Sequence, residues 1–286
     1  MCEKSSVSQS EQTKTQSPSQ TPTVPVVAVV LAAGFGTRFD PDNPKQLVSV
    51  GGKEIVVWSI EAFENDPRVT DVIVVVNAQV GDEVERLVDA NGFGKVRAII
   101  PGGAERSDST QNALQMLADA GIPGDAKILI HDAVRPFVER RSIDGCIDAL
   151  DEFEAATVAV ASTDTVLLTG DLGDRKVIHS VPERPNTFRA QTPQAFRFAT
   201  IRKAYAAAVD DPDFHPTDDT RVVVDYLPDT PVAIVAGAET NLKITTLADI
   251  PIAENIAESI RGPRTREEAK ERMHAVFAEA FNQMRR

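Results

Sequence analysis

Two cations, Arg38 and Lys45, share a loop whose other residues are small, polar or proline, and the loop directly follows an apolar run, Val26 to Leu31. The run reads as a buried strand. Ala32, Ala33, Gly34 and Gly36 carry little or no side chain, so backbone N–H groups can approach an anion closely. Arg38 and Lys45 add positive charge to whatever those amides hold. Such a loop suits a polyphosphate, which points to a nucleotide-handling enzyme.

Two other phosphate loops do not fit. The Walker loop needs Gly-x-x-x-x-Gly-Lys-Ser/Thr, which is absent. The dinucleotide fingerprint needs a third glycine where Phe39 stands, and a helix where a proline-bearing segment follows. A Gly-Phe-Gly after a strand is by itself compatible with an ordinary tight turn. With Ala32, Ala33, Arg38 and Pro44-Lys45-Gln46 added, the run resembles the signature loop of nucleoside-triphosphate transferases that build activated sugars and polyols.

Five further groups carry polar chemistry. Pro101 to Ser109 places Gly102 and Gly103 at a strand end, followed by Arg106, Ser107 and Ser109 at a helix start. That pattern can bind a base edge or phosphate, and it can equally be a turn with a helix cap. In His131-Asp132-Ala133-Val134-Arg135-Pro136, an aspartate at a strand terminus is placed to support Mg²⁺, directly or through water. His131 reads as a packed, structural histidine rather than a base. Glu183-Arg184 with Gln191-Thr192-Pro193-Gln194, then Thr217-Asp218-Asp219, then Asn241-Leu242-Lys243-Ile244-Thr245 complete the set. Asp218-Asp219 is also compatible with a plain acid pair at a helix start.

The elements that must position these residues alternate. Strands are expected at Val72–Val76, Val96–Ile100, Lys127–Ile130 and Thr157–Ala161, and helices at Lys53–Glu64, Val80–Ala90, Ser107–Ala120 and Ile143–Phe153. This predicts an α/β fold: a Rossmann-like, mainly parallel sheet with helices on both faces and ligands at the carboxyl ends of its strands. The alternation breaks at 163–190, where Asp164–Leu168 and Lys176–Ile178 flank a glycine-containing turn, so a projecting β-arm is expected. Helices at Arg197–Val209, Asp218–Tyr226 (Thr217 as N-cap) and Leu247–Ile260, with a strand at Val232–Val235, close a domain over 25–260. Residues 261–286 form a helical extension with Met273, Val276, Phe277 and Phe281 on one stripe. Residues 1–24, rich in Ser, Thr, Gln and Pro, read as a disordered tail.

The 286-residue chain carries a net charge of −13, which argues against a nucleic-acid partner. No apolar run is long enough for a membrane span. Cys2 and Cys146 make no disulfide framework, and the start of the chain lacks a secretory pattern, so a cytoplasmic setting is expected. An acidic protein that binds anions must concentrate its positive charge locally.

Taken together and in order, these motifs resemble the 2-C-methyl-D-erythritol 4-phosphate cytidylyltransferase family of the non-mevalonate isoprenoid pathway, over about residues 25–260. The resemblance implies CTP and a polyol phosphate as substrates, Mg²⁺ or another divalent cation as cofactor, and a homodimer with exchanged β-arms. It implies triphosphate contacts at Arg38 and Lys45 and cytosine contacts at Ala32, Ala33, Gly103 and Ser109, with Gly34, Gly36, Arg106 and Asp132 in the same nucleotide site. On the acceptor side it implies Asp132, Arg135, Thr165, Arg184, Thr192, Thr217 and Lys243, with Arg38, Lys45, Arg184 and Lys243 as the catalytic cations. Ala104 departs from an aspartate found in some relatives, leaving only backbone contact there, and Thr220 departs from a small residue.

The chain shows no nucleophile–base grouping, and the implied chemistry requires none. The acceptor phosphate, with a second pKa near 6, is itself the nucleophile, so alignment and charge neutralisation dominate. A ribitol 5-phosphate cytidylyltransferase shares the CTP half and is the nearest alternative. Sugar 1-phosphate nucleotidyltransferases match the Gly102–Ser109 segment less well. A nucleotide-binding module without turnover would not need both Arg38 and Lys45.

Overall fold

The computed structural model describes residues 24–34, 39, 44–211, 214 and 216–262. Gly36, Arg38, residues 1–23 of the expected tail and residues 263–286 of the expected helical extension lie outside the described residues. Strand β1 (Val26–Ala32) is a fully buried β-branched run. A short hairpin follows, β2 (Ser49–Val50) and β3 (Lys53–Glu54), turned by Gly51 and Gly52, both at positive φ. The helix expected from Lys53 therefore begins at Ile55: Lys53 and Glu54 are spent on the hairpin, and α1 spans Ile55–Glu64.

Next come β4 (Asp71–Val76), α2 (Gly81–Asn91), β5 (Val96–Pro101), α3 (Arg106–Asp119), β6 (Lys127–Asp132), α4 (Arg140–Glu152) and β7 (Ala155–Ala161). The arm is an antiparallel pair, β8 (Leu168–Leu172) and β9 (Arg175–Ser180), turned at Gly173 and, among the described residues, hydrogen-bonded to no other strand. Asp164–Leu167, expected inside its first strand, precede it. Strand β10 (Phe188–Arg197) was not expected at all. After it come α5 (Phe198–Ala208), α6 (Asp219–Tyr226), β11 (Val232–Ala236) and α7 (Ile250–Arg261), the last preceded by a 3-10 turn over Leu247–Asp249.

The main sheet has the order β11-β7-β10-β6-β1-β4-β5, parallel except for β10, which runs antiparallel to both neighbours. Alternation along β1 sends Ala28 and Val30 to one face, with Ile60 and Phe63 of α1, Val84 of α2 and Ile143 of α4. Val27, Val29 and Leu31 face Leu114 of α3, Ile201 of α5 and Val222 of α6. A third cluster joins Ile55 and Trp58 to Phe137, Ile244 and Ala257, holding α7 against the β2–β3 hairpin. No helix among the described residues is long and apolar enough to cross a membrane.

Candidate active site

The sheet order reverses direction between β1 and β6, and the loops after those two strands separate there, opening a crevice at their carboxyl ends. A cavity of about 230 Å³ occupies it, bounded by Ala33 and Gly34 after β1, Lys45 and Gln46, Gly103 to Arg106 with Ser109, Asp132 after β6, and Lys243. A larger cavity, about 970 Å³, lies at the opposite ends of the strands beside Arg68, Lys127 and Asp151. We assign the site to the smaller one, because the charged loops converge there.

Asp132 organises the charge. Arg106 Nε donates to its Oδ1 at 3.1 Å and Lys243 Nζ donates to its Oδ2 at 2.8 Å, while Arg135 Nε lies 4.0 Å from Oδ2. Burial alone would raise the Asp132 carboxyl, but Arg106 and Lys243 overcome it and hold the group well below the usual carboxylate range. Burial likewise opposes the Arg106 charge, and Asp219 and Asp132 more than offset it. In the cleft wall, cations (Lys45, Arg106, Lys243) thus outnumber carboxylates (Glu105, Asp132).

Behind Asp132 lies a neutral chain. The Asp132 backbone N–H donates to Thr192 Oγ1 (3.2 Å), and that hydroxyl lies 2.9 Å from His131 Nδ1. His131 Nε2 sits 3.0 Å from the Arg135 carbonyl. A carbonyl only accepts, so Nε2 carries the proton and Nδ1 accepts from Thr192. Burial, with no exposed surface on the ring, lowers the His131 pKa to about 4. His131 is the structural histidine its sequence context suggests.

Close backbone approach explains the small residues. A Cβ on Gly102 would stand 2.4 Å from the Ala33 Cβ, and one on Gly103 would stand 2.1 Å from the Asp108 Cβ. The Gly103 N–H donates to Ser109 Oγ (3.1 Å), which in turn donates to the Glu105 carbonyl (3.2 Å), so Ser109 ties this loop together. Gln46 Nε2 donates to the Ala32 carbonyl (2.7 Å) and to that of Gly34, fixing the exit of β1. Lys45 Nζ reaches the Ile244 carbonyl at 3.4 Å, linking the first loop to the Lys243 segment.

Of the expected site residues, the structure brings Ala33, Gly34, Lys45, Gly103, Arg106, Ser109, Asp132 and Lys243 together. Ala32 lies just beneath, its carbonyl taken by Gln46. Arg135 and Thr192, expected on the acceptor side, do not line the cleft. Arg135 is committed to the Asn241 carbonyl (2.8 Å) and Thr192 to His131 and Asp132, so both hold the wall from behind. Arg184 Nη2 donates to Thr165 Oγ1 (3.3 Å) at the exposed base of the arm, and neither residue lines the cleft. Thr217 is exposed and does not cap α6. Asp218 does, accepting from the Arg221 N–H at 2.8 Å, because its carboxylate occupies the position before the first helical residue. Asp219 turns inward instead. Gln46 and Asp219 were quoted inside sequence motifs without a role, and only their long-range partners supply one.

A doubly wound α/β sheet with a cation-lined cleft at its switch point defines a nucleotidyltransferase-type protein. Residues 26–259 match the family model for 2-C-methyl-D-erythritol 4-phosphate cytidylyltransferase, and the chain belongs to that family. It is 75% identical over 264 residues, 92% of this chain and 91% of the relative, to the protein of that name from Bifidobacterium longum (strain NCC 2705). It is 35% identical over 233 residues to the bifunctional ribulose 5-phosphate reductase/CDP-ribitol pyrophosphorylase of Haemophilus influenzae, covering 82% of this chain and 48% of that protein. The crystal structure of 4-diphosphocytidyl-2C-methyl-D-erythritol synthase from Anaerococcus prevotii superposes with a TM-score of 0.69 at 25% identity, covering 82% of this chain and 96% of that one.

Proposed function

We propose that the chain transfers the cytidylyl group of CTP to 2-C-methyl-D-erythritol 4-phosphate, giving 4-diphosphocytidyl-2-C-methyl-D-erythritol and pyrophosphate. The carrying observation is the convergence of Lys45, Arg106 and Lys243 on one cleft at the sheet's switch point. CTP lies along the Ala33–Gly34 and Gly103–Ser109 edges. The acceptor phosphate attacks the α-phosphorus, its new P–O bond forming as the bond to the pyrophosphate oxygen breaks, and no proton transfer is needed. Arg38 and Lys45 stabilise charge on the transferred phosphorus and the leaving group. Lys243, drawn from Asp132, orients the attacking phosphate. Both Asp132 oxygens are engaged, by Arg106 and Lys243, so Mg²⁺ would be held mainly by substrate phosphates and water, with Asp132 reached through water. When bound, the ion supplies neutralisation of the triphosphate charge.

The arm completes the acceptor site in a second copy of the chain. Its apolar residues Leu168, Leu172, Ile178 and Val181 are exposed, as is Phe188 at its return to the sheet, and Arg184 and Thr165 stand away from their own cleft. Exchange across a two-fold axis covers those side chains and delivers Arg184 to the neighbouring site. A cytoplasmic setting fits the buried, unbridged Cys146. Pyrophosphate release from CTP, measured with methylerythritol phosphate, with ribitol 5-phosphate and with no acceptor, tests the reading. Turnover preferring methylerythritol phosphate is expected. Preference for ribitol 5-phosphate would reassign the acceptor, and no release with either would leave a nucleotide-binding module.

A further inference from the structure

Arg106 is held from two sides, and only one of them belongs to the cleft. Its Nε donates to Asp132 at the wall. Its Nη1 donates to Asp219 Oδ2 at 2.6 Å. Asp219 has no exposed surface and does not line the cavity. Its Oδ1 accepts from the Tyr205 hydroxyl (2.6 Å), and its backbone N–H donates to Gln194 Oε1 (2.8 Å). Tyr205 lies on α5 and Gln194 on β10, so three elements converge to seat one carboxylate beneath the site.

Stability alone does not explain such a residue, since a buried ion pair is commonly matched or exceeded by apolar packing of similar volume. Its effect on geometry is specific. A guanidinium is a rigid planar fork, and anchoring Nε and Nη1 on different carboxylates fixes its plane. Without Asp219, Arg106 could close a two-pronged pair on Asp132, the geometry arginine and carboxylate prefer. That pairing would take the Asp132 oxygen now engaged by Lys243 at 2.8 Å. The far anchor keeps Arg106 to one oxygen and leaves the other to Lys243.

We propose that Asp219, seated by Tyr205 and Gln194, is a positioning residue that divides Arg106 between two carboxylates and thereby sets the spacing of the Arg106 and Lys243 charges that receive the substrates. This rests on the cytidylyltransferase reading of the cleft. The test uses the full chain and two readouts, CTP affinity by titration calorimetry and steady-state pyrophosphate release. Asp219→Asn should weaken CTP binding by roughly tenfold and lower kcat/KM by more, since the acceptor-orienting Lys243 moves as well. Tyr205→Phe keeps the ring and removes only the hydroxyl, so it serves even where Asp219→Asn does not fold, with a loss of about threefold to fivefold in the same parameters. In an Arg106→Gln background both substitutions should add less than about twofold, because residues acting through one another are not additive. Asp219→Glu should recover part of the Asn loss. Losses that multiply in the Arg106→Gln background, or a Tyr205→Phe protein with wild-type CTP affinity, would overturn the proposal. Absence of turnover in the wild type would instead remove the functional reading beneath it.

Discussion

Burial of His131 gives the stability of this protein a pH dependence with a definite sign. The ring is fully buried, its centroid 5.2 Å from that of Phe63 in an edge-to-face pair, with Nε2 against the Arg135 carbonyl and Nδ1 against the Thr192 hydroxyl. Protonating Nδ1 would require the Thr192 hydroxyl to turn from donor to acceptor and would place a charge in a fully buried site. Burial is the dominant cause of the depressed pKa, about 4 against 6.5 for a free imidazole. Because the folded value is the lower one, the unfolded chain takes up the proton first. The stability contributed by keeping His131 neutral is therefore complete above pH 6.5 and drains as the pH falls towards 4. At about 1.4 kcal/mol per unit, the drop amounts to roughly 3 kcal/mol, a large fraction of the stability of an ordinary domain. Asp132 is also depressed, but its contribution is lost only below the ordinary carboxylate range, near pH 4 and under, so the two windows separate.

The assay is urea unfolding followed by fluorescence of Trp58, the single tryptophan, at intervals from pH 7.5 to 4.5. His131→Asn removes the titration while retaining one acceptor and one donor. It should start less stable at pH 7.5, and its stability should then fall less steeply, so that the two proteins converge by up to about 3 kcal/mol on approaching pH 4. Parallel loss in both proteins across that range would refute the reasoning, since it would mean that His131 binds its proton equally in both states.

The remaining predictions address the site and the chain around it. Lys45→Ala and Arg38→Ala should each lower kcat by roughly a hundredfold or more with native circular dichroism; a rise in KM for CTP alone would make them ground-state contacts. Mixing Arg38→Ala with Arg184→Ala subunits should restore about a quarter of wild-type activity, because random exchange gives about half mixed dimers with one intact site each. No recovery, with subunit exchange verified by mass spectrometry, would rule out arms acting in trans. Burial pushes the Cys146 thiol up to about 12, so a thiol reagent at pH 8 should leave it unmodified until the protein unfolds, as read by peptide mass. Deleting residues 1–23 should leave turnover and Tm nearly unchanged, since their composition offers little apolar surface to bury.

What was legible in the sequence, and what was not, follows one physical line. Strands β1, β4 and β6 are apolar runs buried on both faces, and α2 and α4 carry apolar residues at helical spacing, so a local window contains what each element needs. The loops that follow β1 and β6 then place Lys45 and Asp132 by topology. Strand β10 could not be read this way. It carries Arg189, Gln191, Thr192, Pro193 and Gln194, which look like loop. Gln191, Thr192 and Gln194 are nonetheless buried, because Gln191 donates to the Ala238 carbonyl (2.8 Å), Thr192 serves His131 and Asp132, and Gln194 accepts from Asp219. Proline supplies no ladder N–H, and the pairing with β7 shifts register between Ala190 and Gln194. Every partner that makes these polar residues tolerable inside a sheet lies dozens of positions away, beyond any window. The same holds for Asp219, whose neighbour Asp218 is a local cap, whereas its own partner Arg106 belongs to a helix on the far side of β6 and β7 in the chain. The polar strand is the means by which this fold seats its charged wall: a hydrophobic β10 would complete the sheet equally well, but it would leave the Asp132 N–H, His131 Nδ1 and the Asp219 N–H without partners.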